Sequence, residues 1–130
     1  MIIEHQTGKR NTMSQELNTL ITNALEDLKG KDIVTMDVSE LSDVMDTLII
    51  ASGTSNRHVK SLASNAAQDA KDNGMAAIGI EGLESGEWVL ADFGDTVLHV
   101  MLPATRDFYD LEKLWSMEPS NRQQDPEAEI

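Results

Sequence analysis

Cysteine is absent from the 130 residues of this chain. That absence removes disulfides, thiolate catalysis and cysteine-based zinc sites together. No apolar run approaches the roughly 20 residues that cross a bilayer, and Met1 to Asn11 carries no apolar block of the kind that opens a secretory signal. A cytosolic protein without a membrane partner is expected. Basic residues are scarce as well: 10 Lys and Arg against 23 Asp and Glu give a formal net charge of −13 and a pI near 4.4. Binding to a phosphate backbone is driven by Lys and Arg replacing condensed counterions, so direct nucleic-acid binding is not expected. If the protein works near nucleic acid, it should touch a basic protein there. The same acidity also serves solubility. Internal repeats and low-complexity tracts are lacking, and a chain of this length reads as one domain.

What is present is a regular alternation of helical and strand patterns. Met1 to Thr12 shows no clear apolar period and reads as a disordered extension over residues 1–12, upstream of a fresh beginning at Met13-Ser14-Gln15-Glu16. Leu17, Leu20, Ile21, Ala24, Leu25 and Leu28 then recur at three- and four-residue spacing, with Ser14 placed to cap and Gly30 placed to stop an amphipathic helix. Ile33 to Val38 reads as a half-covered strand, and Leu48-Ile49-Ile50-Ala51 as a central one. Ser52 to Ser55 supplies a turn and an N-cap for a helix with Val59, Leu62, Ala63, Ala66, Ala67 and Ala70 on one face, ending at Asn73-Gly74. Ala76 to Glu81 follows as a strand, completing a β-α-β unit expected to be parallel and right-handed. Trp88–Asp92 and Thr96–Leu102 form a hairpin through Phe93-Gly94-Asp95. A final helix over about Ala104 to Trp115 places Phe108, Leu111, Leu114 and Trp115 on one side. Residues 117–130, acidic and with little to bury, read as a disordered tail after a domain spanning 13–116. The order α-β-β-α-β-β-β-α implies an α/β fold, a mixed sheet of about five strands with packed helices.

Three clusters invite an enzymatic reading. Asp92-Phe93-Gly94 spells the magnesium-binding triad of protein kinases, but the glycine-rich loop, strand lysine and catalytic-loop motif that give it meaning are missing. It reads as a hairpin turn. Gly53-Thr54-Ser55, after a buried strand and before a helix, could offer N–H groups and hydroxyls to a phosphate, as in nucleotidyltransferases. The strand after that helix holds one carboxylate, Glu81, at its end, whereas two-metal chemistry needs several carboxylates converging on ions about 4 Å apart. Helix capping explains the turn better. Asp92, Asp95 and His99 lie close across the hairpin, but turn aspartates commonly cap backbone N–H groups, and a lone His among them is a weak ligand set. No metal or cofactor is expected. Alternation puts Trp88, Leu90 and Asp92 on one strand face and Val97, His99 and Met101 on one face of the next. An aromatic anchor with carboxylates and a histidine suits a protein interface directed at Arg and Lys. Trp88 as plain core fits these residues equally well.

At this point three segments resemble the ribosomal silencing factor (RsfS, Iojap) family. They are Asp46 to Val59, Glu81-Gly82 with Gly86 to Val100, and Arg106 to Trp115, preceded by Leu28-Lys29-Gly30-Lys31-Asp32-Ile33. Each motif is modest alone, but their order is specific, and the match covers about Ser14 to Trp115. The resemblance implies a nucleotidyltransferase-like fold without a working transferase site. It also implies a non-enzymatic function: binding a basic ribosomal protein on the intersubunit face of the large subunit, blocking small-subunit joining and lowering translation when nutrients are scarce. Self-association of the free protein is implied too. Thr47 and Leu48 stand where the family often has an aromatic, and Thr96 where it favours an aliphatic residue. Carried over residue by residue, the interface candidates are Glu81, Trp88, Leu90, Asp92, Asp95 and His99. Tyr109 and Trp115 are weaker candidates, because the helical pattern expects Trp115 to be partly buried.

Overall fold

A computed structural model of the chain describes the backbone of residues 2–116 and the side chains of residues 14–116. The expected disordered tail, 117–130, lies outside the described residues. The first helix, α1 (Ile2–Asp27), starts twelve residues before Ser14, so Ser14 sits inside it and caps nothing. Extending an existing helix costs far less than nucleating one, and no proline interrupts residues 2–13, so the missing apolar period does not stop it. Its end is a Schellman turn in which Lys29, at φ 63°, takes the left-handed position. Lys29 N–H donates to Glu26 O at 2.9 Å and Gly30 N–H to Leu25 O at 2.8 Å.

Five strands follow: β1 (Lys31–Asp37), β2 (Thr47–Ser52), β3 (Gly79–Glu81), β4 (Trp88–Asp92) and β5 (Thr96–Met101). They form one sheet in the order β1-β2-β5-β4-β3, with β2 parallel to β5 and the other neighbours antiparallel. Helix α2 (Asn56–Asp72) joins β2 to β3, which runs in the same direction as β2 because two antiparallel pairings separate it from β5. The β4–β5 hairpin occupies the space between them, so β3 is an edge strand of three residues and not the six-residue strand expected.

The two sheet faces are closed differently. On the first, Leu17, Ile21, Ala24 and Leu25 of α1 and Val59, Leu62, Ala63, Ala66 and Ala70 of α2 pack on Ile49, Ala51, Val89, Ala91, Leu98 and Val100. The alanines let α2 lie close to the sheet, and a Cβ at Gly53 would stand 2.8 Å from the Val59 nitrogen. On the second face, Val38, Leu48, Ile50 and Met101 form a smaller core edged by Met36, Met45, Trp88, Val97, Leu111 and Trp115.

A polar tie joins Thr47 and Thr96 through Asn18. Buried Thr96 donates through Oγ1 to Asn18 Oδ1 at 2.8 Å, and Asn18 Nδ2 donates to Thr47 Oγ1 at 3.3 Å. The three residues satisfy one another where α1 crosses the starts of β2 and β5.

The single closing helix of the sequence reading is two short ones, α3 (Pro103–Tyr109) and α4 (Leu111–Ser116). The break is Asp110, left-handed at φ 50° and ψ 52°. Asp tolerates that region better than most residues, and the turn brings together groups that a straight helix would hold on different sides. Arg106, buried, donates through Nε to Glu112 Oε1 at 2.8 Å and through Nη1 to Ser52 Oγ at 2.9 Å. Phe108 therefore does not join the apolar side expected of it; it is 80% exposed.

Candidate functional site

Strand pairing places Trp88 beside Met101, Leu90 beside His99 and Asp92 beside Val97, so all six share the second sheet face. Ile50 flanks His99 from β2, and Glu81 flanks Leu90 from β3. The row Ile50, His99, Leu90, Glu81 thus passes from a buried residue to an exposed carboxylate across three neighbouring pairings. Helices α3 and α4 cover only the end of this face near Met101, which leaves Leu90, Asp92 and Val97 half-buried.

Trp88 is the hinge of the arrangement. Its Nε1–H donates to His99 Nδ1 at 2.9 Å, and its ring meets that of His99 at a centroid distance of 5.8 Å and that of Tyr109 at 4.8 Å. Phe108 stands edge-on to Tyr109 at 4.9 Å. A ladder of four rings therefore climbs from buried His99 to solvent-exposed Phe108. Because His99 Nδ1 accepts the indole hydrogen, the ring is neutral with its proton on Nε2. Burial pushes its pKa down from the usual 6.5 to about 4. Gly82, at φ 94°, lets the loop after β3 lie against this site: a Cβ there would stand 2.0 Å from the Trp88 carbonyl oxygen.

The other candidates sort by position. Asp92 Oδ1 accepts from Gly94 N–H at 2.8 Å, the turn-capping role expected of it. Asp95 is exposed at the turn end of the hairpin, opposite the Trp88 end, and lines a shallow hollow with Ser14, Leu17, Met75 and Ala76 on the α1 side. Its carbonyl accepts from the N–H groups of Asp46 and Thr47 at 2.7 and 3.0 Å. The structure does not bring Asp95 to the ladder. Tyr109 joins it, and Trp115 is half-buried beside Leu111 in the second core. Phe108, read in the sequence as part of an apolar helix side, and Arg106 were not among the site candidates. The available signal was Asp110, a residue tolerant of the left-handed region in mid-helix, with Arg106 and Glu112 six positions apart around it.

The turn weighed as a phosphate cradle is already engaged. Gly53 N–H donates to Met101 O, Thr54 N–H to His58 Nδ1 at 2.9 Å, and His58 N–H to Ser55 Oγ at 3.1 Å. His58 Nε2 in turn reaches Leu28 O at 2.7 Å, tying the end of α1 to the start of α2. Glu81 is the one carboxylate of β3. Among the described residues no group of three His, Cys, Asp or Glu is placed to hold a metal ion, and no helix is long and apolar enough to cross a membrane.

Known proteins share this architecture. Residues 11–130 match the family model described as "Ribosomal silencing factor during starvation". A ribosomal silencing factor of Chromobacterium violaceum is 54% identical over 101 residues, covering 78% of this chain and 83% of that protein. A crystal structure of a protein from the same organism superposes with a TM-score of 0.78 at 52% identity, over 81% of this chain and 88% of that one. A mouse protein named "Mitochondrial assembly of ribosomal large subunit protein 1" is 33% identical over 101 residues, covering 75% of this chain and 44% of that protein. With the family model spanning nearly the whole sequence and a silencing factor 54% identical over 83% of its own length, the chain belongs to the ribosomal silencing factor family.

Proposed function

We propose that this protein docks in the cytoplasm on a basic ribosomal protein of the large subunit's intersubunit face, and that it silences translation under nutrient limitation by filling the space the small subunit would occupy. It acts as a non-enzymatic binding module. The observation that carries this reading is the half-open second sheet face. Trp88 and Tyr109 supply rigid aromatic area, Leu90 and Val97 an apolar centre, and Glu81 and Asp92 carboxylates around it. That composition suits a partner rich in Arg and Lys. A net charge of −13 would speed its encounter with a basic surface and repel RNA phosphates. Support for the large subunit comes from the mouse relative's name, and support for silencing under nutrient limitation from the family's description. The free protein is a homodimer in this proposal, with the same face available for pairing.

Co-sedimentation with purified large subunits tests the docking face. Glu81→Lys changes an exposed edge residue, and Trp88→Ala removes the aromatic hinge; together they are expected to weaken binding by at least about thirtyfold, as loss of a tryptophan hot spot does. Undiminished binding of the double variant contradicts the face assigned here.

A further inference from the structure

The break at Asp110 leaves two aromatic rings in solvent, Phe108 at 80% and Tyr109 at 53% exposure. They are not loosely placed. Tyr109 lies between the rings of Trp88 and Phe108, and the Arg106 bonds to Glu112 and Ser52 fix the turn that presents them. Asp107 and Asp110 flank the pair in the chain, both exposed, and neither stands in an ion pair among the described residues.

We propose that Phe108 and Tyr109, with Asp107 and Asp110, form a receptor for one arginine side chain of the basic partner. This rests on the docking reading above and names the chemistry of its outer end. A guanidinium is planar and weakly hydrated, so it stacks on a ring face while its N–H groups meet carboxylates. An ammonium, strongly hydrated and without a flat face, gains less from the same pair. The Phe108 ring offers a free face, continues the ladder that starts at His99, and is flanked by charge of the required sign. Arg106 is a positioning residue here: its own charge is taken by Glu112, and it acts by holding the break.

The test measures affinity of the full chain for purified large ribosomal subunits over a series of salt concentrations. The proteins compared are the wild type, Phe108→Ala, Phe108→Leu, Phe108→Tyr and the Asp107→Asn/Asp110→Asn double variant. Phe108→Ala and Phe108→Leu are each expected to bind about three- to tenfold more weakly, and Phe108→Tyr to bind as the wild type does. The double variant is expected to bind more weakly with a shallower salt dependence. Unchanged melting temperatures show that the exposed substitutions do not act through folding. Wild-type affinity in Phe108→Leu, with loss only in Phe108→Ala, means a plain apolar contact and overturns the arginine receptor. Wild-type affinity in every variant overturns the site and leaves the docking face standing. Failure of the wild-type protein to bind large subunits overturns the docking reading and this inference together.

Discussion

Acid should destabilise this protein through one residue before its carboxylates matter. His99 is neutral in the fold with a pKa of about 4, held there by burial, whereas in the unfolded chain it titrates near 6.5. Below pH 6.5 the unfolded state takes up a proton that the folded state refuses, so the contribution of His99 falls as pH drops from 6.5 to about 4 and is constant below that. At 1.4 kcal/mol per pH unit the interval corresponds to about 3.5 kcal/mol, of which about 2.5 kcal/mol is lost by pH 4.5. Glu112 and Asp37 have lowered pKa values, through Arg106 and Ser39 respectively; their stabilisation is lost only as pH falls below the ordinary carboxylate range. The window from 6.5 to 4.5 is therefore the histidine's. The measurement is urea unfolding at half-unit pH steps for the wild type and for His99→Gln, whose amide oxygen can still accept from Trp88 but does not titrate. Relief of repulsion in a chain of net charge −13 acts in the opposite direction, and the other titrating groups are common to both proteins, so the difference between the two curves isolates His99. That difference is expected to change by about 2.5 kcal/mol between neutral pH and pH 4.5. Parallel curves would refute the placement of His99 as a buried neutral acceptor.

Other consequences are as direct. Thr96→Val leaves the Asn18 amide oxygen without its hydroxyl donor inside the protein and is expected to cost about 1–2 kcal/mol in urea unfolding; Asn18→Leu made in the Thr96→Val background should cost less than it does alone. Glu112→Ala leaves the buried guanidinium of Arg106 without its counter-charge and is expected to cost about 2 kcal/mol, whereas Arg106→Leu leaves the part-exposed Glu112 to water and only Ser52 without its donor and should cost less; a smaller loss in Glu112→Ala than in Arg106→Leu would contradict the buried, paired role of Arg106. ATP, CTP and GTP with magnesium should leave the melting temperature unchanged, because the N–H groups of Gly53 and Thr54 in the Gly53–Ser55 turn are already bonded within the protein; a rise with any of them would revive a transferase reading.

The parts of this molecule written in local pattern could be read from the sequence. Alternation in Trp88–Asp92 and Thr96–Met101 fixed which side chains share a face, and the turn residues between them fixed the hairpin. The buried face of α2 followed from helical spacing, with Ala67 alone only half-covered. What was not legible depends on partners distant in the chain. The position of β3 at the sheet edge is set by insertion of the hairpin, which no local pattern records. The break at Asp110 rests on Arg106 reaching Ser52, a residue 54 positions away. With that contact unseen, Phe108 falls on the apolar side of a straight helix and not in solvent. The same holds for the ladder: Trp88, His99 and Tyr109 were each candidates, but their order from core to surface comes from packing alone.

The central claim is occlusion of the large subunit, and subunit joining tests it most directly. Purified large subunits preincubated with the wild-type protein are mixed with small subunits, and intact ribosomes are followed by light scattering. Joining is expected to be suppressed in proportion to the bound protein and restored when the Glu81→Lys/Trp88→Ala variant replaces it. Full-rate joining on large subunits saturated with the wild-type protein would contradict it.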